Sequence, residues 1–146
     1  MKAKEFLRQY EYAMQRAELC RMEYEKELEE IDAVRSTLDT DGLPHGNGIS
    51  KKVEDKAIKL ADKATKWKMA YLDALEDRQT VYDLIWDIPG AEGKVLYYRY
   101  IELMLWEDIA EKMDYTPGGA YSIHRKALVI VENRLNQGGG QSDGGK

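Results

Sequence analysis

The sequence predicts an all-α protein: a long antiparallel helical hairpin, a coiled coil, followed by a compact set of shorter C-terminal helices. Three observations predict it. Two long segments repeat apolar residues at alternating steps of three and four, only three prolines occur in 146 residues, and loop-forming residues are concentrated at 39–50 and in the last ten positions. The same reading divides the chain into a hairpin at 1–89, a helical module at 90–136 and a Gly-rich tail at 137–146 that has no apolar side chain to bury and is expected to be disordered.

The first segment, residues 2–38, carries its stripe on Ala3, Phe6, Tyr10, Ala13, Ala17, Cys20, Tyr24, Ile31, Val34 and Leu38, interrupted only by Glu27. The second, residues 51–88, repeats it on Val53, Ala57, Leu60, Ala64, Trp67, Tyr71, Ala74, Val81, Ile85 and Ile88, interrupted only by Arg78, and ends at Pro89-Gly90. A 3.5-residue repeat sustained this long is a coiled-coil seam. The stretch DTDGLPHGNGIS at 39–50 is turn chemistry. Folding there sets Leu38 against Val53, Ile31 against Leu60, Tyr24 against Trp67, Ala17 against Ala74 and Phe6 against Ile85, all at one offset. Charge agrees with that register. Seven acids between Glu18 and Asp32 face seven lysines between Lys51 and Lys68. Such flanking charges select partner and orientation, although each exposed pair is worth only ~0.2 to 1 kcal/mol. Cys20, on the stripe, is expected to be a small buried residue. A thin two-helix layer also favours a homodimer, in which two hairpins complete a bundle.

Composition excludes several classes of function. The longest apolar runs, such as Ala127–Val131, are far below the ~20 residues that span a bilayer. The N-terminal MKAKEFLRQYEYA lacks the apolar core of a secretion signal. One cysteine builds no intrachain disulfide or thiolate cluster, and two histidines, His45 and His124, far apart in sequence, give no metal-ligand spacing. The glycines cluster in the linker and the tail, with no phosphate loop after a strand, and no Ser-His-acid set is spaced for catalysis. Lys plus Arg is 22 against 27 Asp plus Glu, a net charge of −5. The chain reads as a soluble, cytoplasmic, non-enzymatic protein with no cofactor.

Beyond Pro89-Gly90 the pattern shortens. EGKVLYYRYIE (92–102) places Val95, Leu96, Arg99 and Tyr100 near one face, and WEDIAEKM (106–113) does so with Ile109, Ala110 and Met113. Asp114-Tyr115 makes a turn. Thr116 then reads as an N-cap and Pro117 as the first residue of a third helix that runs to about Leu135, with Ala120, Ile123, Ala127 and Leu128 inward. His124 reads as a polar surface or packing residue. Tyr97, Tyr98, Tyr100, Trp86 and Trp106 are expected to pack between hairpin and module. Two short helices, a tight turn and a capped third helix are the layout of a helix-turn-helix.

The string RYIELMLWEDIAEKMDYTPGGAYSIHRKAL, Arg99 to Leu128, resembles the helix-turn-helix of sigma-factor region 4. There an arginine-bearing helix precedes an E-E-I-A-like helix, a short turn and a Ser/Thr-capped recognition helix. With the long N-terminal helices, the whole chain resembles small phage transcriptional regulators of the ArpU/RinA-like type. The resemblance implies a third helix in the major groove of double-stranded DNA, presenting Thr116, Pro117, Gly118, Tyr121, Ser122, Arg125 and Lys126. In that role Thr116 caps the helix beside a phosphate, Tyr121 packs on sugar or a thymine methyl, and Arg125 and Lys126 hold phosphates or a guanine edge.

The chain departs from the family at Gly118 and Gly119, where side chains usually face the bases; two glycines also cost a helix about 1 kcal/mol each. Six bases oppose seven acids from Glu92 to Leu135, net −1, whereas most autonomous DNA binders present a basic field. The competing reading is therefore an adaptor that binds RNA polymerase or a sigma factor, or a DNA-packaging component resembling small terminase subunits.

Overall fold

The computed structural model of the chain describes residues 2–41 and 47–144, and every regular element among them is helical. The order is α1 (Ala3–Leu7), α2 (Gln9–Asp41), α3 (Asn47–Ile85), α4 (Gly90–Tyr100), α5 (Trp106–Met113) and α6 (Pro117–Gly144). Among the described residues no helix is long and apolar enough to cross a membrane.

Where the sequence predicts one helix over 2–38, two stand: α1 ends at Leu7 and α2 begins at Gln9. The Gln9 side-chain amide donates to the Phe6 carbonyl oxygen at 2.8 Å, a side chain entering the backbone ladder at the break. Within the stretch predicted as loop, 39–50, helix continues to Asp41 and resumes at Asn47. Residues 42–46, with His45, lie outside the described residues. α3 stops at Ile85, before Ile88; two turn residues follow, the Ile88 N–H donates to the Ile85 carbonyl at 3.0 Å, and Ile88, preceding Pro89, is outside helical backbone. α4 then opens on Gly90 at φ +73°, a conformation that costs glycine little.

The contacts divide the chain into two compact units, residues 1–12 with 74–146, and residues 13–73. In the second unit, Tyr24 and Trp67, opposite one another in the expected register, are in ring contact at 5.5 Å. Lys56 Nζ lies 3.1 Å from Glu30 and 3.7 Å from Glu27, joining acidic α2 to basic α3. Glu27 keeps its inward seat at the interruption of the stripe, buried, and one of its carboxylate oxygens has no hydrogen-bond partner. Cys20 is half-buried rather than buried.

The first unit is densely packed. α6 lies against α4, α5 and α1, and α4 against α5. Leu7, Val81, Ile85, Val95, Leu96, Ile109 and Val131 are fully buried there. Gly93 sits where α4 meets the end of α3: a Cβ on it would fall 1.9 Å from the Ile88 carbonyl oxygen. Arg134 of α6 donates to the Leu84 carbonyl at 2.9 Å and pairs with Asp87, whose carboxyl it holds below the usual range through that hydrogen bond.

α6 also differs from expectation at its end. It continues past Leu135 to Gly144, through most of the tail expected to be disordered. Among the residues whose burial is described, Val131 is the last buried one and 136–138 are exposed, while helical backbone continues to Gly144.

Candidate nucleic-acid interface

The first helix of the pair, α5, packs through Ile109 and Ala110, which are buried, with Met113 half-buried. It ends as the residues 114–115 predict. Asp114 takes the left-handed conformation at φ 58°, ψ 40°, which short polar side chains tolerate better than most. The Asp114 N–H donates to the Glu111 carbonyl at 3.2 Å and the Tyr115 N–H to the Ala110 carbonyl at 2.9 Å, satisfying the last helical acceptors.

Thr116 then caps α6: its Oγ1 accepts the Gly119 N–H at 3.0 Å, and Pro117 occupies the first helical position, where it loses no hydrogen bond. The cap gives Gly119 a reason. A Cβ there would stand 3.3 Å from the capping hydroxyl oxygen and 3.6 Å from Tyr115 Cβ. Gly118 has no such constraint, since open space surrounds the position of its missing Cβ.

From this start the two faces of α6 separate. Ala120, His124, Ala127 and Val131 are buried, with Ile123 and Leu128, both expected inward, only half-buried. Thr116, Pro117, Gly118, Tyr121, Arg125 and Lys126 are exposed and Ser122 is half-buried. Gly118, Tyr121, Ser122 and Arg125 follow helical spacing along one outward face, with Lys126 beside it. All seven predicted site residues therefore fall on or beside the open side of α6. Tyr121 is not wholly free: its ring lies 4.8 Å from that of Trp106, tilted by 42°. Arg125 and Lys126 form no ion pair among the described residues.

No protein-family model, curated protein or solved structure matches the chain.

Behind the outward face lies a polar arrangement that sequence reasoning missed. His124, read as a surface or packing residue, is buried, and its Nε2 stands 2.6 Å from the Tyr100 hydroxyl. Its ring stacks at 5.7 Å on Tyr100 and meets Trp106 edge-on at 4.7 Å. Burial pushes the His124 imidazole down to about 4, assisted by the positive charges of Lys4, Arg99 and Arg125. Burial likewise raises the Tyr100 hydroxyl to about 12. Both groups are thus neutral around pH 7, and the hydrogen bond satisfies both in a setting where an unpaired partner is costly.

Arg99 closes the arrangement: its guanidinium donates to the Met104 carbonyl at 2.9 Å and stands 5.4 Å from the Trp106 ring centre. Trp106 is thereby committed within the C-terminal helices. Trp86, expected to pack, is instead 64% exposed; it is one residue past the buried Ile85 and so turns away from that face. The signal for His124 was present in its spacing from Ala120 and Ala127. That for Lys4 and Arg8, which α1 brings to this side of α6, was not, because more than a hundred positions separate α1 from α6.

Among the described residues no group of three or more His, Cys, Asp or Glu side chains is placed to hold a metal ion.

Proposed function

We propose that this chain is a non-enzymatic, DNA-binding transcriptional regulator of the phage or prophage type, in which α5, its turn and α6 act as a sigma region-4-like helix-turn-helix. In this reading α6 enters the major groove, Arg125 and Lys126 contact phosphates or a guanine edge, and the capped N-terminus of α6 approaches the backbone. α2 and α3 form an antiparallel coiled coil that serves dimerisation or contact with the transcription machinery. The observation that carries the reading is the segregation of α6: Ala120, His124, Ala127 and Val131 buried, Tyr121, Arg125 and Lys126 on the opposite, exposed side. The Tyr24–Trp67 contact and the Lys56 ion pairs support the coiled coil.

The adaptor reading draws on a different fact. Glu107, Asp108, Glu111 and Asp114 are all exposed on α5 and its turn, a poor setting for a polyanion and a good one for a basic protein surface. One selection experiment separates the two. Purified protein is offered fragments of its own genome at low salt, beside the variant carrying Arg125→Glu and Lys126→Glu. The regulator retains specific fragments and the variant, equally helical by circular dichroism, retains none. Retention of no fragment by either protein transfers the assignment to the adaptor, whose mass in solution and polymerase binding are then the quantities to measure.

A further inference from the structure

At the Tyr100–His124 pair is a cavity of about 170 Å³ whose lining draws on four helices: Lys4 from α1 with Arg8 just after it, Arg99 and Tyr100 from α4, Trp106 from α5, and Tyr121 and His124 from α6. Its composition is unusual for a chain with net charge −5. Three cationic side chains converge on it and no carboxylate lines it. Glu11 lies 3.2 Å from Arg8 Nε and the Arg8 guanidinium stands 4.6 Å from the Tyr12 ring centre, an arrangement in which its terminal nitrogens are not the ones paired with Glu11. Lys4 is exposed and forms no ion pair among the described residues. Arg99 is oriented by the Met104 carbonyl and the Trp106 face, neither of which neutralises it.

We propose that this cavity is a binding site for a phosphoryl group, clamped by Lys4, Arg8 and Arg99 and covered by the Tyr121 and Trp106 rings. Size selects a small ligand, since pockets for drug-sized molecules begin at about 300 Å³. Charge selects an anion: like charges gathered at a partly desolvated site repel, and an anion converts that repulsion into attraction. Guanidinium groups pair two at a time with phosphoryl or carboxylate oxygens, and three converging cations favour the more highly charged phosphoryl group. The same charges act on His124, whose imidazole is lowered first by burial and then by Lys4 and Arg99.

Two sources offer this chemistry, a small phosphomonoester or inorganic phosphate and the backbone of a nucleic acid. The first needs no DNA contact by α6; the second rests on the regulator reading. The test follows the indole N–H resonance of Trp106 and the ring resonances of His124 in the full chain by NMR. Inorganic phosphate, and separately duplex DNA, is titrated against chloride at equal ionic strength and fixed pH.

Saturable shifts with inorganic phosphate, weakened at least tenfold in the Lys4→Gln variant and again in Lys4→Gln/Arg8→Gln, identify a small-anion site. That site is expected to persist when Arg125 and Lys126 are changed to Glu, so its result is separable from that of DNA binding. Shifts with duplex DNA only, likewise lost in the Lys4→Gln variant, identify a backbone-phosphate site. Absence of shifts with both ligands, or shifts that the Lys4→Gln and double variants leave unchanged, overturns the proposal. Lys4 is exposed on a five-residue helix, so its replacement leaves the fold intact, as the unchanged melting temperature without anion will check.

Discussion

The two compact units are both helical, yet they are stabilised differently. In residues 1–12 and 74–146, large side chains such as Leu7, Ile85, Leu96 and Ile109 are fully buried, and the buried histidine has a hydrogen-bond partner. In residues 13–73 the described buried positions are Ala13, Ala17, Ile31 and the charged Glu27, while Leu19, Met22, Ile58 and Met69 are each more than half exposed. Two helices have one shared seam and no second layer to cover their other sides, so periodicity alone does not yield a deep core there. Where several short helices surround a third, the same kind of stripe becomes fully enclosed. The contrast places most of the packing energy with the C-terminal helices, which are also the elements that hold the outward face of α6.

The largest expected effect breaks the packed unit at its tightest point. Gly93→Ala forces a methyl to within 1.9 Å of the Ile88 carbonyl oxygen, and backbone must move to admit it. A loss of about 3 kcal/mol is expected in urea denaturation, and a loss near zero would show that the α3–α4 junction yields easily.

Next comes the buried polar pair. Tyr100→Phe leaves the His124 nitrogen without its partner and is expected to cost about 1–3 kcal/mol. Because His124 is held neutral down to about 4, against 6.5 when unfolded, the unfolded chain binds the proton more readily. The contribution of His124 is therefore complete above pH 6.5 and is lost as pH falls toward about 4. Denaturation curves across that window, compared with the double variant Tyr100→Phe/His124→Phe, are expected to show a shallower decline in the variant.

The difference between these two regions also marks what the sequence made legible. The bounds of α5, the turn at Asp114-Tyr115 and the Thr116 cap were readable because each is set by local chemistry within a few residues. Part of the stripe of α2 and α3, with the Tyr24–Trp67 contact, was readable from periodicity, whereas Ala57 and Tyr71, expected on it, are exposed. What escaped depends on tertiary neighbours: the inward turn of His124, the outward turn of Trp86, and the arrival of Lys4 and Arg8 beside α6. The α1–α2 break escaped for a smaller reason, since a single glutamine side chain competing for the Phe6 carbonyl leaves the apolar repeat unchanged.

In the thin unit the expected effect is smaller and its sign differs. Glu27→Leu removes a buried carboxylate that has one oxygen without a hydrogen-bond partner and only a 3.7 Å ion pair to Lys56, leaving Lys56 its contact with Glu30. Stability is expected to hold or to rise by about 1 kcal/mol, measured by thermal melting; a loss of several kcal/mol would mean that the Glu27–Lys56 pair holds the register.

The smallest effect falls on the open side of α6. Gly118→Ala meets nothing within 4 Å and improves helix propensity, so a gain of up to about 1 kcal/mol is expected. A destabilisation would mean that the N-terminus of α6 is more crowded than its geometry implies.

The central claim is that the outward face of α6 touches duplex DNA, and the salt dependence of binding tests it most directly. Fluorescence anisotropy on a selected duplex, repeated over a range of salt concentrations, compares the native chain with Arg125→Gln/Lys126→Gln. Loss of two phosphate contacts is expected to weaken binding and to reduce the slope of log affinity against log salt by about 2. An affinity and a slope that the double variant leaves unchanged would contradict the account.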